Sequence, residues 1–256
     1  MISRGLGFLY GVVCYALFFG TFLYAMGFVG NVLVPKSIDS GATAPALEAL
    51  IVDALLLSAF AVQHSVMARQ WFKRGWTKVV SSALERSTYV LASTAVLALL
   101  MWQWRPIAAV LWQVQNSAIA TTLAVLYWLG WGTLLLSTFL VDHFELFGLK
   151  QVYCHLRGQA HEPLPFKTPA LYKAVRHPIY FSFLVAFWST ARMTVGHLFF
   201  SVMCTGYILV AIQFEERDLL RFYGDAYRRY REQVSMIVPL PRRRAQQAAG
   251  RSAGAK

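Results

Sequence analysis

Long stretches in which nearly every position is apolar alternate along this chain with short stretches where charges crowd together. Residues 5–34, 47–68, 88–104 and 118–141 are runs with almost no charge. A helix that crosses the hydrocarbon of a bilayer needs about 20 mainly apolar residues, and each run approaches or exceeds that length. A fifth run, 179–191, is shorter; Thr194, Gly196 and His197 follow it, and a sixth run occupies 198–214. The last two read as a tight helical hairpin. The pattern predicts an all-α, polytopic membrane bundle with six crossings; five crossings plus a re-entrant piece is the competing count. Beyond the sixth run, Leu219, Phe222, Tyr223, Tyr227 and Tyr230 recur at nearly helical spacing. That spacing predicts a C-terminal cytoplasmic or interfacial helix with an apolar, aromatic stripe, in which Gly224 marks a turn.

Composition sharpens this picture. Hydrophobic residues make up 57% of the chain and charged residues 14%, where a soluble domain carries about 25% charged. These proportions exclude a solvent-exposed globular protein and a disordered one. The three cysteines, Cys14, Cys154 and Cys204, form no CxxC, so neither a disulfide framework nor a zinc or iron–sulfur site is indicated, and no metal is expected. The first run is too long and unpunctuated for a cleaved signal peptide and is expected to stay as a helix. Residues 1–241 read as one transmembrane domain, and 242–256 as a disordered basic tail suited to contact with anionic lipid.

The net charge of +12 would suggest nucleic acid in a soluble protein. Sorted by loop, it reports something else. With six crossings, 21 of the 24 Lys and Arg residues fall on one side. Only Lys36, Arg105 and Arg192 fall on the other. The positive-inside rule then predicts a multi-pass membrane protein with both termini in the cytoplasm. Nucleic acid is not an expected partner; membrane lipid is.

Ionisable groups at the ends of spanning helices are costly and often functional. Here they gather at the cytoplasmic side. His64 sits in Gln63-His64-Ser65 near the end of the second run, and Asp142, His143 and Glu145 at the end of the fourth. Arg176 and His177 open the fifth run, and Glu215 and Glu216 close the sixth. Each alone also reads as a solvated interfacial residue; the convergence of four helices on one depth favours a site for a water-soluble ligand. Asp53, near the outer end of the second run, reads as interfacial.

Two strings carry the chemistry. In Arg176-His177-Pro178-Ile179-Tyr180, proline suits the first helical position, where its missing N–H is no loss. The free N–H groups of such a turn attract an anion, and Arg176 and His177 stand beside it as donors. The bland reading is a Pro-started helix with juxtamembrane cations. In Glu215-Glu216-Arg217-Asp218, two carboxylates at a helix C-terminus oppose the helix dipole, which favours a role such as binding a cationic group. The bland reading is a helix that runs on, with its acids paired to Arg217 and Arg221.

With their spacing, and with Tyr223-Gly224-Asp225-Ala226-Tyr227, Tyr230 and Pro239 after them, these strings resemble the integral-membrane methyltransferases: the isoprenylcysteine carboxyl methyltransferase, phospholipid methyltransferase and NnrU-like group. The match covers about 168–240. Elsewhere the strings 31–41, 63–69 and 143–149 are similar to the bacterial methanethiol S-methyltransferase branch. The resemblance implies S-adenosylmethionine as methyl donor and a small volatile thiol, methanethiol, as acceptor, giving dimethyl sulfide. It implies a donor site built from Arg176, His177, Pro178, Tyr180, Glu215 and Glu216, with Tyr180, Tyr223 or Tyr227 stacking on adenine. A thiol must lose its proton to become a nucleophile, and His64, or His143 paired with Asp142, are the candidate bases. Ala170 and Ser182 stand where family members often have glycine. Competing readings are a prenylcysteine carboxylate or phospholipid amine as acceptor, and a haem protein using His64 and His143. No oligomeric state is legible.

Overall fold

The computed structural model describes residues 3–162 and 165–239; the expected tail at 242–256 lies outside them. The elements are α1 (Arg4–Gly30), α2 (Ala46–Ala68), α3 (Gln70–Trp76), α4 (Ser82–Gln103), β1 (Val110–Gln113), α5 (Ser117–Val141), α6 (His143–Leu146), α7 (Leu149–Arg157), α8 (Pro178–Trp188), β2 (Arg192–Thr194), α9 (Val195–Tyr223) and α10 (Asp225–Gln233). Among the described residues, α1, α2, α4, α5 and α9 are the five helices long and apolar enough to cross a membrane. Their outer faces carry exposed Leu9, Leu55, Leu129 and Phe139, the surface a helical bundle turns toward lipid rather than water.

Side-chain caps close three of the long helices at their starts. The hydroxyl of Ser3 accepts from the Leu6 amide at 3.2 Å, Asn116 from Ile119 at 3.1 Å and Thr194 from His197 at 3.1 Å, each cap satisfying a first-turn donor. The first apolar run extends to residue 34, but α1 stops at Gly30, because Asn31 turns left-handed at φ 55°. The chain folds back instead: the Ile38 amide binds Phe28 O at 2.9 Å, and Trp104 Nε1 donates to Ile38 O at 3.0 Å. Asp53, near the outer end of α2, is wholly buried within the protein and accepts the Arg105 amide at 2.9 Å.

The fifth pass is the irregular one. At 1.5 Å per residue, the 11 residues of α8 span about half of a bilayer core of about 30 Å. Yet α8 leads into β2, which pairs antiparallel with β1 in the α4–α5 connection. Residues 178–194 therefore run from the end of the bundle where α5 finishes to the end where it starts. Extended backbone at 189–194 completes what the short helix does not. Among the described residues five long apolar helices are thus accompanied by one short helix continued by extended backbone. The two short strands, and the helices α3, α6 and α7, have no counterpart in the apolar pattern.

The core gathers Phe28, Leu100, Trp104, Tyr127, Trp131 and Phe187 between α1, α4, α5 and α8. One close approach depends on glycine: a Cβ on Gly130 of α5 would lie 2.8 Å from Ala186 N and 3.0 Å from Ser182 O of α8. This contact draws α8 against α5 and fixes where its first turn sits.

Candidate active site

The sixth apolar run does not end at the paired acids. Helix α9 continues to Tyr223 and is capped by Gly224 at φ 53°, so Glu215 and Glu216 lie well inside it and do not oppose a helix terminus. Adjacent helical residues point about 100° apart, and the two acids take different partners. Glu216 is buried and faces the start of α8. Its Oε1 accepts from Arg176 Nε at 2.7 Å, Arg176 Nη2 at 2.7 Å and His177 Nε2 at 3.1 Å. Arg176 Nη1 donates to the carbonyls of Val234 at 2.6 Å and Arg231 at 3.0 Å. The backbone repeats the tie: the amides of Arg176 and His177 donate to Ser235 O at 2.8 Å and Met236 O at 3.1 Å. Arg176, expected as a donor to a bound anion, is committed to the protein. It knots the start of α8, the C-terminal part of α9 and the segment after α10.

Glu215 is the open acid. Its side chain is 43% exposed and lies 3.9 Å from His177 Nδ1, whose ring packs against that of Tyr180 with centroids 5.7 Å apart. Pro178 takes the first position of α8 as its sequence demanded. Ser182 sends its hydroxyl to Pro178 O at 2.8 Å, and Ala170 takes a left-handed φ of 36°, the conformation for which glycine is suited.

An aromatic wall stands behind the knot. Phe166 packs on Tyr223 with ring centroids 5.1 Å apart, on Tyr230 at 5.5 Å and on Tyr227 at 6.0 Å. Tyr230 donates to Tyr172 O, and burial pushes its own hydroxyl up to about 12. Tyr227 is 1% exposed, and its hydroxyl has no hydrogen-bond partner among the described residues; burial, then the Glu216 charge, raises its pKa. Both tyrosines are thus neutral donors at physiological pH. Phe166 was not among the expected residues. It lies in an irregular connection with no periodicity to mark it.

The two candidate bases have separate surroundings. His64, on α2, is stacked on Phe60 at 5.3 Å and hydrogen-bonded by Tyr89 of α4. Its neighbour Ser65 bonds Tyr207 of α9 at 3.1 Å, and Arg69 beyond the end of α2 pairs with Asp218 of α9 at 2.8 Å. The end of α2 that carries His64 therefore packs against α9. His143 does not pair with Asp142. Its Nδ1 meets Thr138 Oγ1 at 2.8 Å, its Nε2 meets Tyr15 Oη at 2.8 Å, and its ring stacks on Phe139 at 4.2 Å. Asp142 instead receives Lys150 Nζ at 2.7 Å and the Glu145 amide at 3.1 Å. Burial lowers the His143 pKa, with Asp142 opposing; for Asp142 burial pulls upward, but Lys150 and the Glu145 amide outweigh it and leave the pKa low. His64 and His143 thus take separate partners, and among the described residues no group of three His, Cys, Asp or Glu could hold a metal.

The cluster thus offers one open carboxylate beside a buried imidazole, a helix start and an aromatic wall, with a second imidazole on the adjoining end of α2. Comparison with known proteins points the same way. The chain is 53% identical to the methanethiol S-methyltransferase of Mycobacterium tuberculosis, over 94% of its own length and 99% of the relative's. It is 52% identical to methanethiol S-methyltransferase 1 of Bradyrhizobium diazoefficiens, over 93% of this chain and 84% of that one. Nurim of Mus musculus is 36% identical over 68% of this chain and 69% of its own. No family model matches, and no solved structure does.

Proposed function

Because the chain belongs to the methanethiol S-methyltransferase family, we propose that it transfers the methyl group of S-adenosylmethionine to methanethiol, releasing dimethyl sulfide. One observation carries the reading at the level of the site: the open carboxylate of Glu215 on α9 stands beside His177 at the start of α8, and α9 also bonds the His64 end of α2 through Tyr207 and Asp218.

The residues present fit the donor. Its ammonium and sulfonium call for a negative charge in reach of solvent, and Glu215 is that group. Its carboxylate suits the first turn of α8, whose N–H groups have no intrahelical partner. Its adenine suits the wall of Phe166, Tyr223 and Tyr227, where the buried hydroxyl of Tyr227 lacks a partner among the described residues that a polar base edge would supply. Arg176, His177, Pro178 and Glu216 hold that geometry; the ion pair fixes the helix start rather than binding the ligand. When bound, the donor supplies a methyl group activated by its positive sulfur.

The chain's own residues then have two tasks. One is alignment, which in well-oriented reactions accounts for about 7–11 kcal/mol of the barrier. The other is taking the thiol's proton, because only the thiolate attacks. His64 is the base in this reading, since its end of α2 packs against α9, whereas His143 is enclosed by Thr138, Tyr15 and Phe139 on the α1–α5 side. The part of the single domain (1–241) that serves the donor is about 168–240. Both termini face the cytoplasm of the bacterial inner membrane, where the water-soluble donor is found, and the methyl acceptor, small and apolar, reaches the site through or along the lipid.

Purified protein in detergent, given S-adenosylmethionine and methanethiol, should release dimethyl sulfide into the headspace, as read by gas chromatography. Methylation of a prenylcysteine or phospholipid amine with no volatile product would overturn the acceptor assignment. A Soret band in the purified protein with no methyl transfer would overturn the enzyme reading.

A further inference from the structure

We propose that the connection between α2 and α4 is a docking surface for anionic phospholipid, built on Trp71, Arg74 and Lys78. These residues take no part in the methyl-transfer reading.

Geometry puts this connection at the membrane surface. Ala68 ends one spanning helix and Ser82 opens another, so residues 69–81 run where hydrocarbon gives way to headgroups. They do not cross as an open loop. Arg69 is extended, at φ −75° and ψ 142°, and α3 starts directly after it. Helical bonding continues past the end of α3: the Thr77 amide donates to Lys73 O and the Val80 amide to Trp76 O, both at 2.9 Å.

The segment has two faces. One turns to the protein. Phe72 stacks on Trp76 with ring centroids 5.8 Å apart, and Lys73 reaches Glu85 of α4 at 3.7 Å. Arg69 is committed inward as well, donating to Asp218 of α9 at 2.8 Å. The other face carries Trp71, Arg74, Gly75 and Lys78. Their i, i+3, i+4 and i+7 spacing is that of a helical stripe, and all four are exposed. Trp71 is 61% exposed, and Val79, next to Lys78, is 83% exposed. Among the described residues Arg74 and Lys78 form no ion pair. The cations of the connection thus divide: Arg69 and Lys73 are used within the protein, and Arg74 and Lys78 are turned out.

This stripe has a defined chemical counterpart. An indole settles at the headgroup level, where its ring finds apolar surroundings and its N–H finds water. Arg74 and Lys78 beside it add a positive field that an anionic headgroup matches and a zwitterionic one does not. Trp71 and Val79 favour a bilayer over a soluble acidic partner, because the boundary of the acyl chains covers exposed apolar groups at this depth.

Tryptophan quenching tests the surface on the full chain in phosphatidylcholine vesicles. The quencher is brominated phosphatidylglycerol or brominated phosphatidylcholine at equal mole fraction. Subtracting the signal of Trp71→Phe isolates the fluorescence of Trp71. Both lipids should quench it, phosphatidylglycerol more strongly, and added salt should weaken that preference. Arg74→Gln and Lys78→Gln should each lower the preference about fivefold, with unfolding midpoints in detergent unchanged. Lys78→Arg, which keeps the charge, should keep the preference. So should Arg228→Gln, which removes an exposed cation paired with Asp225 at 3.2 Å. A Trp71 signal that neither lipid quenches would place α3 off the membrane and overturn the proposal. Equal quenching by the two lipids, or an equal loss in Arg228→Gln, would leave only general charge attraction and overturn it too.

Discussion

Removing Glu216 tests whether the Arg176 knot sets the shape of the site. The side chains of Arg176 and Glu216 are 6% and 9% exposed, so Glu216→Leu strands a guanidinium that water cannot reach. Breaking a buried pair from one side costs about 3–5 kcal/mol. Arg176 keeps the carbonyls of Val234 and Arg231, which places the expectation at the lower end, about 3 kcal/mol. That corresponds to a fall of order 10 °C in the unfolding midpoint of a protein this size. The loss should be local first: the segment after α10 is tied to residues 175–177 through Arg176 and the amides beside it, and its susceptibility to protease should rise before global unfolding. Adding Arg176→Leu removes the stranded charge. The double variant should be no less stable than Glu216→Leu alone, with a coupling of about 2 kcal/mol or more between the two sites. Midpoints measured in one detergent for the four proteins of this cycle give the answer. Additive losses within about 0.5 kcal/mol would refute the idea that the pair acts as a unit.

Three further outcomes follow from single positions. Ala170 holds a φ of 36°, so Ala170→Gly relieves a left-handed alanine at some cost in unfolded-chain entropy and should raise stability by about 0.5–1 kcal/mol, read as a small rise in midpoint. Gly130→Ala places a Cβ 2.8 Å from Ala186 N and should cost about 1–3 kcal/mol as α5 and α8 part. Gly132→Ala, with nothing within 4 Å, should be neutral or stabilising, and equal effects at the two glycines would refute the close-contact argument. His143 has a folded pKa held below the ordinary imidazole value by burial. As pH falls through about 6.5 the unfolded chain takes a proton that the folded ring refuses, so stability present above that pH is lost below it. The midpoint of His143→Gln should fall less than that of wild type between pH 7.5 and 5.5, by differential scanning fluorimetry.

Much of the architecture was legible because its cause is one-dimensional. A segment that must sit in hydrocarbon has to be apolar over its whole length, and residues 47–68 and 118–141 match α2 and α5 to within a residue. Proline at a helix start is equally local, and Pro178 opens α8. Boundaries failed where polarity and helicity part company. Residues 32–34 are apolar but leave α1 because Asn31 turns left-handed. Residues 215–223 are charged or mixed but stay in α9, because Glu216 is matched by Arg176 across the fold.

By itself, then, the chain's sequence determined which segments form long apolar helices, which loops gather the positive charge, and which residue types collect at one end. These follow from transfer free energies summed along a segment, which need no neighbours. The tertiary structure alone decided how those residues divide the work. Arg176 and Glu216 neutralise each other, Glu215 stays open, and Asp142 binds Lys150 in place of His143. The end of α2 that carries His64 packs against α9, through Ser65 and Tyr207, and His143 turns instead to Thr138 and Tyr15. Such pairings depend on which helices touch and how each is rotated, and residues as far apart as Arg176 and Glu216, or Ser65 and Tyr207, meet only once the bundle has packed.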